Sequence, residues 1–374
     1  MTASDPDILS LTSHRDSTAP ASRHSDARAA GDLDAFMATM VATSAAVSCE
    51  DAERLAREKY GLDTTATRLT GERDENFRML CADGSQYVLK VANAAEEPTV
   101  TDLPTAALLH VERVDPAFPC PSVLRNRDGL TLTPYEDSAG AKRTARMLTY
   151  LQGKTLHSSV RSREQRTACG RVAARLGLAL STFTHPASTR PLIWDLRHLG
   201  RTLALLDELV DLPEKDILAA FLSRIDTRIQ AEFRHLRQQV IHNDMNDLNI
   251  LVDPDNPDSV VGIIDFGDLV HTALVADVAI LAADQIVTGH APRDSITEVV
   301  MAYQDTTPLL PQELAMLNSL IAGRILTAVL ITSWHRRRNP TGTHYADLDS
   351  EFVRQRVELA SEILSWDMTS DMTL

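Results

Sequence analysis

The sequence predicts an α+β chain of two lobes, a small antiparallel-sheet N-lobe followed by a large, mainly helical C-lobe, and three observations carry that prediction. Strand-length runs of β-branched and apolar residues are concentrated before residue 152, whereas apolar residues at helical spacing dominate after it. Between them Gln152-Gly153 breaks the pattern. The organisation that follows is a tail over 1–38, a first lobe over 39–152 and a second over 153–374.

Taken in order, residues 1 to about 34 are rich in Ser, Thr, Asp, Arg and Ala with hardly any large apolar side chain, so they are expected to be disordered. Cys49 to Tyr60 fits a short helix. Thr67 to Met79 and Gln86 to Ala92 have strand composition, separated by the turn former Asp83-Gly84. A helix is expected near Leu103 to Val114, with Pro104 in its first turn, then strands at Ser122 to Leu124 and Arg146 to Leu151. Helical spacing then marks Glu164 to Phe183, Trp194 to Val210, Glu214 to Leu236, Ala273 to Val287, Ser295 to Tyr303, Pro311 to Arg337 and Leu348 to Ser365. Two short strands, Asn249 to Val252 and Val260 to Phe266, interrupt these helices. Asp253 to Asp258 between them has alternating carboxylates, but its prolines and missing distal glutamate fit a hairpin tip rather than a calcium loop.

Composition narrows the function. The 52 Asp and Glu against 37 Lys and Arg give a net charge of −15, which repels nucleic acid and anionic membranes and favours a cationic or zwitterionic partner. Only 5% of residues are aromatic, which argues against base-stacking platforms. The four cysteines are scattered without a CxxC pair, and the apolar run Leu317 to Trp334 is interrupted by Arg324. A soluble, cytoplasmic protein with no nucleic-acid or membrane partner is expected; oligomeric state stays open.

The chemistry is concentrated in two segments. In Val240-Ile-His-Asn-Asp-Met-Asn-Asp-Leu-Asn-Ile-Leu-Val252 an apolar strand runs into polar residues and a second strand emerges from them. Val260-Val-Gly-Ile-Ile-Asp-Phe-Gly-Asp268 is an apolar strand that delivers Asp265 at its end. Phosphoryl transfer needs a carboxylate to take the attacking hydroxyl's proton and oxygen ligands for Mg²⁺, and these segments can supply both.

The spacing resembles the kinase catalytic loop, His-x-Asp with Asn five residues after the Asp, together with the Asp-Phe-Gly metal site. The resemblance implies a protein-kinase-like bilobal fold in which Asp244 deprotonates the acceptor, His242 buttresses the loop, and Asn249 and Asp265 hold Mg²⁺. Lys90, ending the alternation Tyr87-Val-Leu-Lys-Val91, would reach the α- and β-phosphates of ATP or GTP, unless it is a solvated strand residue. Asp102 is the first choice for its acidic partner, with Glu96 and Glu97 as alternatives. Leu69 to Phe77 stands where a phosphate-covering loop belongs. It has one glycine rather than three, and is similar to the polar loop of the aminoglycoside phosphotransferase group; Gly71 and Asn76 would contact the nucleotide, or the segment is an ordinary polar turn. Met147 to Gly153, through Thr149 and Leu151, would meet the purine edge at the lobe junction.

A protein kinase carries a long activation segment after Asp-Phe-Gly, yet here a helical pattern resumes near Ala273, and Asn243 replaces the loop arginine. The expected substrate is therefore small. Within the aminoglycoside phosphotransferase and choline kinase-like superfamily, the two motif segments, Trp194-Asp-Leu196 and Trp334-His-Arg-Arg-Arg-Asn-Pro340 resemble hydroxylysine kinase and its bacterial relatives. That likeness implies a hydroxylated amino acid or amine as acceptor, with an aminoglycoside, homoserine or choline as alternatives; a nucleotide-binding pseudokinase scaffold is the reading from another class. Asp247, Asp268, Trp194, Asp195, Arg324 and Trp334 are the candidate acceptor contacts. Arg324 could take a substrate carboxylate or serve as an internal ion-pair partner.

Overall fold

The computed structural model describes residues 47–69, 71, 74–137, 140–287, 289–338 and 350–372. The tail over 1–38, Glu72 and Arg73 of the polar loop, Asn339-Pro340 and Leu348 lie outside the described residues. The architecture is α+β, with an antiparallel sheet in the N-terminal region and a helical C-terminal region.

Helix α1 (Cys49–Leu55) starts at a capping box: the Asp51 N–H donates to Ser48 Oγ at 3.0 Å and the Asp51 carboxylate accepts back from Ser48. It continues as a wider turn to Tyr60 and stops at Gly61, whose φ of 72° suits a residue without a Cβ. Strands β1 (Thr64–Leu69), β2 (Glu75–Cys81) and β3 (Gln86–Val91) follow, then α2 (Pro98–Val114), β4 (Val123–Leu124), β5 (Thr133–Glu136) and β6 (Lys142–Thr149). The sheet order is β1-β2-β3-β6-β4, with β5 also on β6, all antiparallel. Because side chains alternate, Phe77, Met79, Leu89, Val91, Ala145 and Met147 form one buried layer with α1. The intervening residues Asn76, Lys90 and Arg146 face each other across β2, β3 and β6 on the opposite side.

Helix α2 begins at Pro98, in the first-turn place where a missing N–H costs nothing. Pro104 therefore lies inside the helix, not in its first turn as the sequence suggests.

After β6 the chain passes through β7 (Lys154–Thr155) into α3 (Arg163–Leu180), α4 (Lys215–Glu232), β8 (Gln238–Ile241), β9 (Ile250–Val252), β10 (Val260–Ile263) and β11 (Val270–Ala273). Helices α5 (Leu274–Asp284), α6 (Pro292–Gln304), α7 (Pro311–Arg338), α8 (Ser350–Leu364) and α9 (Met368–Met372) complete it. The apolar spacing of Trp194 to Val210 is satisfied by a tighter 3-10 run, Leu196–Asp207, kinked at His198. Helix α7 is long and apolar enough to cross a bilayer, but 83% of its apolar window is buried inside the protein, so it is the central core helix of this lobe. Strands β8 and β11 pair, as do β9 and β10, which sets the β8–β9 loop beside the β10–β11 loop. The Asp253 carboxylate caps the turn between β9 and β10 by accepting from Asp255 and Asn256, so 253–258 is a hairpin tip.

Candidate active site

The β8–β9 loop is held from below by a buried acid. His242 and Asn243 donate their backbone N–H groups to the two oxygens of Asp277, on α5, at 3.3 and 2.9 Å. This clamp over-determines Asn243, whose φ of 64° is unusual for a residue with a side chain. His242 is fully buried, which pushes its pKa down. As a neutral ring it accepts the Asp244 N–H on Nδ1 at 3.3 Å and donates from Nε2 to the Ile264 carbonyl at 3.1 Å, tying the two loops together. Its ring meets Phe266 edge-on at 4.9 Å. Asp277 went unrecognised in the sequence; its one signal was an isolated carboxylate in the otherwise apolar run Leu274 to Ala283.

Asp244 emerges from that support into a cleft of about 600 Å³ between the lobes. Asn249 Nδ2 donates to Asp244 Oδ2 at 2.7 Å and to its carbonyl at 2.9 Å, while Asn246 Nδ2 donates to Oδ1 at 2.9 Å. With its nitrogen so engaged, Asn249 can offer Oδ1 to a metal ion. Burial and then the nearby Asp268 carboxylate push the Asp244 pKa well above the usual carboxylate range, opposed by the Arg324 guanidinium.

Asp265 sits at φ 60° at the end of β10, with Gly267 donating to its Oδ1 at 3.3 Å. The same oxygen takes Lys90 Nζ at 3.1 Å, so the first-lobe lysine reaches the second lobe's acid directly. Glu96, just before α2, also lines the cleft. Asp102 is instead 3.3 Å from His185, and Glu97 is the residue preceding α2. Val100 and Pro104 of α2 line the cleft, whereas Asp102 between them does not. Arg190 holds the Asp265 loop from behind, donating Nη2 to the Gly267 carbonyl at 2.6 Å and Nη1 to the Leu269 carbonyl at 2.7 Å. Arg190→Met is expected to cost about 1–3 kcal/mol of stability by urea unfolding. Turnover should fall about 10- to 100-fold through a displaced Asp265; wild-type kinetics in the variant would refute this.

On the sheet side, Asn76, Lys90 and Arg146 line the cleft in one row. Arg146 binds Asp74 at 2.8 Å in a largely buried pair that pins the β1–β2 loop, a contact signalled only by a charge within an apolar strand. A Cβ at Gly71 would come within 2.5 Å of the Asp74 carbonyl and 2.2 Å of Asn76 Nδ2, so this position needs glycine for the loop to fold over Asn76. Thr149 accepts the Ser122 N–H on Oγ1 at 2.9 Å, and Leu151 packs over Gly262; neither lines this cleft.

Of the acceptor candidates, Trp194, Asp268 and Arg324 line the cleft. The other three are engaged elsewhere. Asp247 turns to Arg161 at 2.8 Å and His157 at 3.0 Å. Asp195 is buried, accepting from Thr272 Oγ1 at 2.9 Å and capping the 3-10 run through the Arg197 N–H at 3.0 Å. Trp334 is 1% exposed and covered by Arg338, 4.5 Å from its ring centre.

Asp244, Asn249, Asp265 and Lys90 thus converge in one cleft, where a phosphate chain could lie against an acceptor hydroxyl. Known proteins share this arrangement of chain. The sequence model described as "Phosphotransferase enzyme family" matches residues 65–308. Hydroxylysine kinase of Mus musculus is 25% identical over 317 residues, 79% of this chain and 84% of that protein. Homoserine kinase of Methylobacillus flagellatus is 28% identical over 247 residues, 65% of this chain and 71% of that one. A solved complex of amicoumacin kinase with AMP-PNP and Ca²⁺ superposes with a TM-score of 0.65 at 14% identity, covering 86% of this chain and 96% of that one.

Proposed function

Because the chain belongs to the phosphotransferase enzyme family, and is a kinase of a small molecule, we propose that it moves the γ-phosphate of ATP or GTP to the hydroxyl of a hydroxylated amino acid in the cytoplasm. The observation that carries this is the convergence of Asp244, Asn249, Asp265 and Lys90 on one cleft between the lobes. The hydroxyl oxygen attacks the γ-phosphorus as its proton passes to Asp244. An oxygen–phosphorus bond forms, the bond to the β,γ-bridging oxygen breaks, and the nucleoside diphosphate leaves.

The donors fit Mg²⁺, which is commonly bound by one or two carboxylates plus substrate phosphates, with hard oxygen ligands. Asn249 Oδ1 and the half-exposed Asp265 would hold it, and when bound it supplies positive charge against the phosphate oxygens. Lys90 contributes a fixed cation on the sheet side. Hydroxylysine and homoserine are the acceptors favoured by the two named relatives.

The test is a phosphorylation screen of hydroxylysine, homoserine, choline and aminoglycosides with ATP and with GTP. Transfer to a hydroxylated amino acid, abolished by chelation and restored by Mg²⁺, is the expected outcome. Transfer to no acceptor would favour a scaffold role, and preferential transfer to an aminoglycoside or choline would move the acceptor class.

A further inference from the structure

Arg324 enters the cleft from the middle of α7 with its side chain 11% exposed and its guanidinium centred 4.3 Å from the Trp194 ring. A cation–π contact of this kind restrains the guanidinium beside the ring. Its ion pair with Asp244 is loose: Nη2 stands 3.4 Å from Asp244 Oδ1, beyond the roughly 2.7–2.9 Å of a close charge-assisted bond. Nη1 is buried with no hydrogen-bond partner among the described residues. A desolvated guanidinium nitrogen left unsatisfied is costly, so an arginine serving only to neutralise Asp244 should close on it more tightly.

We propose that Arg324, held over the Trp194 ring, reads the carboxylate of the acceptor and so selects hydroxylated α-amino acids over amino alcohols and amino sugars. The inference rests on the phosphotransferase reading of the same cleft. A carboxylate meeting the guanidinium where it lines the cleft, beside its loose contact with Asp244, leaves the rest of the acceptor next to Asp244, where its hydroxyl must lie.

The experiment compares homoserine and hydroxylysine with their decarboxylated analogues, 3-aminopropan-1-ol and 1,5-diaminopentan-2-ol. In the wild-type chain kcat/KM should favour each amino acid by about 100-fold, the worth of one charge-assisted fork. Arg324→Met should collapse that preference to within about fivefold, and Arg324→Lys, which keeps the charge but not the fork, should fall between. Calorimetric binding of the same pairs to Asp244→Asn and Asp244→Asn/Arg324→Met, with circular dichroism as the check on folding, gives the comparison without turnover. A wild-type chain indifferent to the carboxylate, or a preference that survives Arg324→Met in turnover or binding, overturns the proposal. Arg324-dependent binding of the amino acids without phosphorylation of any acceptor supports the carboxylate site and sinks the kinase reading alone.

Discussion

Asp244→Asn is expected to lower kcat by about 10³- to 10⁴-fold while leaving the protein folded, because it removes the proton acceptor and little else. The carboxylate is held by Asn246 and Asn249, and an asparagine can keep one of those bonds through its own oxygen. Loss of the charge also relieves repulsion from Asp268 and Asp265, the neighbours that oppose ionisation of Asp244. Thermal unfolding should therefore be unchanged or raised, which separates a chemical from a structural defect. The measurement is turnover with Mg²⁺ and nucleotide on a hydroxylated amino acid, beside a melting curve. Activity above about a tenth of wild type would remove Asp244 from the role of base, since a general base contributes at least 10²-fold.

Asp265→Asn is the second large effect, about 10³-fold in turnover, and it should differ in kind. Asp265 is the more exposed carboxylate of the pair, and its Oδ1 already takes Lys90 and the Gly267 N–H. An amide there keeps an oxygen for a metal ion but loses the charge that holds it. Activity of the variant should thus recover in part as Mg²⁺ is raised, whereas Asp244→Asn should not respond. A titration in which both variants show the same Mg²⁺ dependence would break the division into base and metal ligand. The Lys90 contact adds a second signature, because the variant loses the ion pair between the lobes.

Legibility in the sequence followed distance along the chain. The β8–β9 and β10–β11 loops are signalled locally: an apolar strand, a polar loop of fixed length and a second apolar segment give His242, Asp244, Asn249 and Asp265 their order and spacing. The same holds for the N-lobe, where alternation sets Lys90 opposite the buried Leu89 and Val91. The acceptor side was less legible. Trp194 and Arg324 reach the cleft while Asp195 and Trp334, equally prominent as sequence, are buried in structural contacts. Periodicity marks a helix face as apolar, but not which polar residue at its margin meets a cavity.

By itself, the sequence determined the α+β architecture and the two loop segments that meet in the cleft, because strand alternation, helical spacing and loop length are properties of neighbouring residues. Only the tertiary structure decided the partners. Lys90 meets Asp265 rather than Asp102, Arg146 pins Asp74, Asp277 clamps the turn at Asn243, and Arg324 lies over the Trp194 ring. Each of those contacts joins elements far apart in the chain, and its existence depends on strand register, helix start and helix rotation. A one-residue change in any of these turns a side chain to another face, which local pattern does not encode.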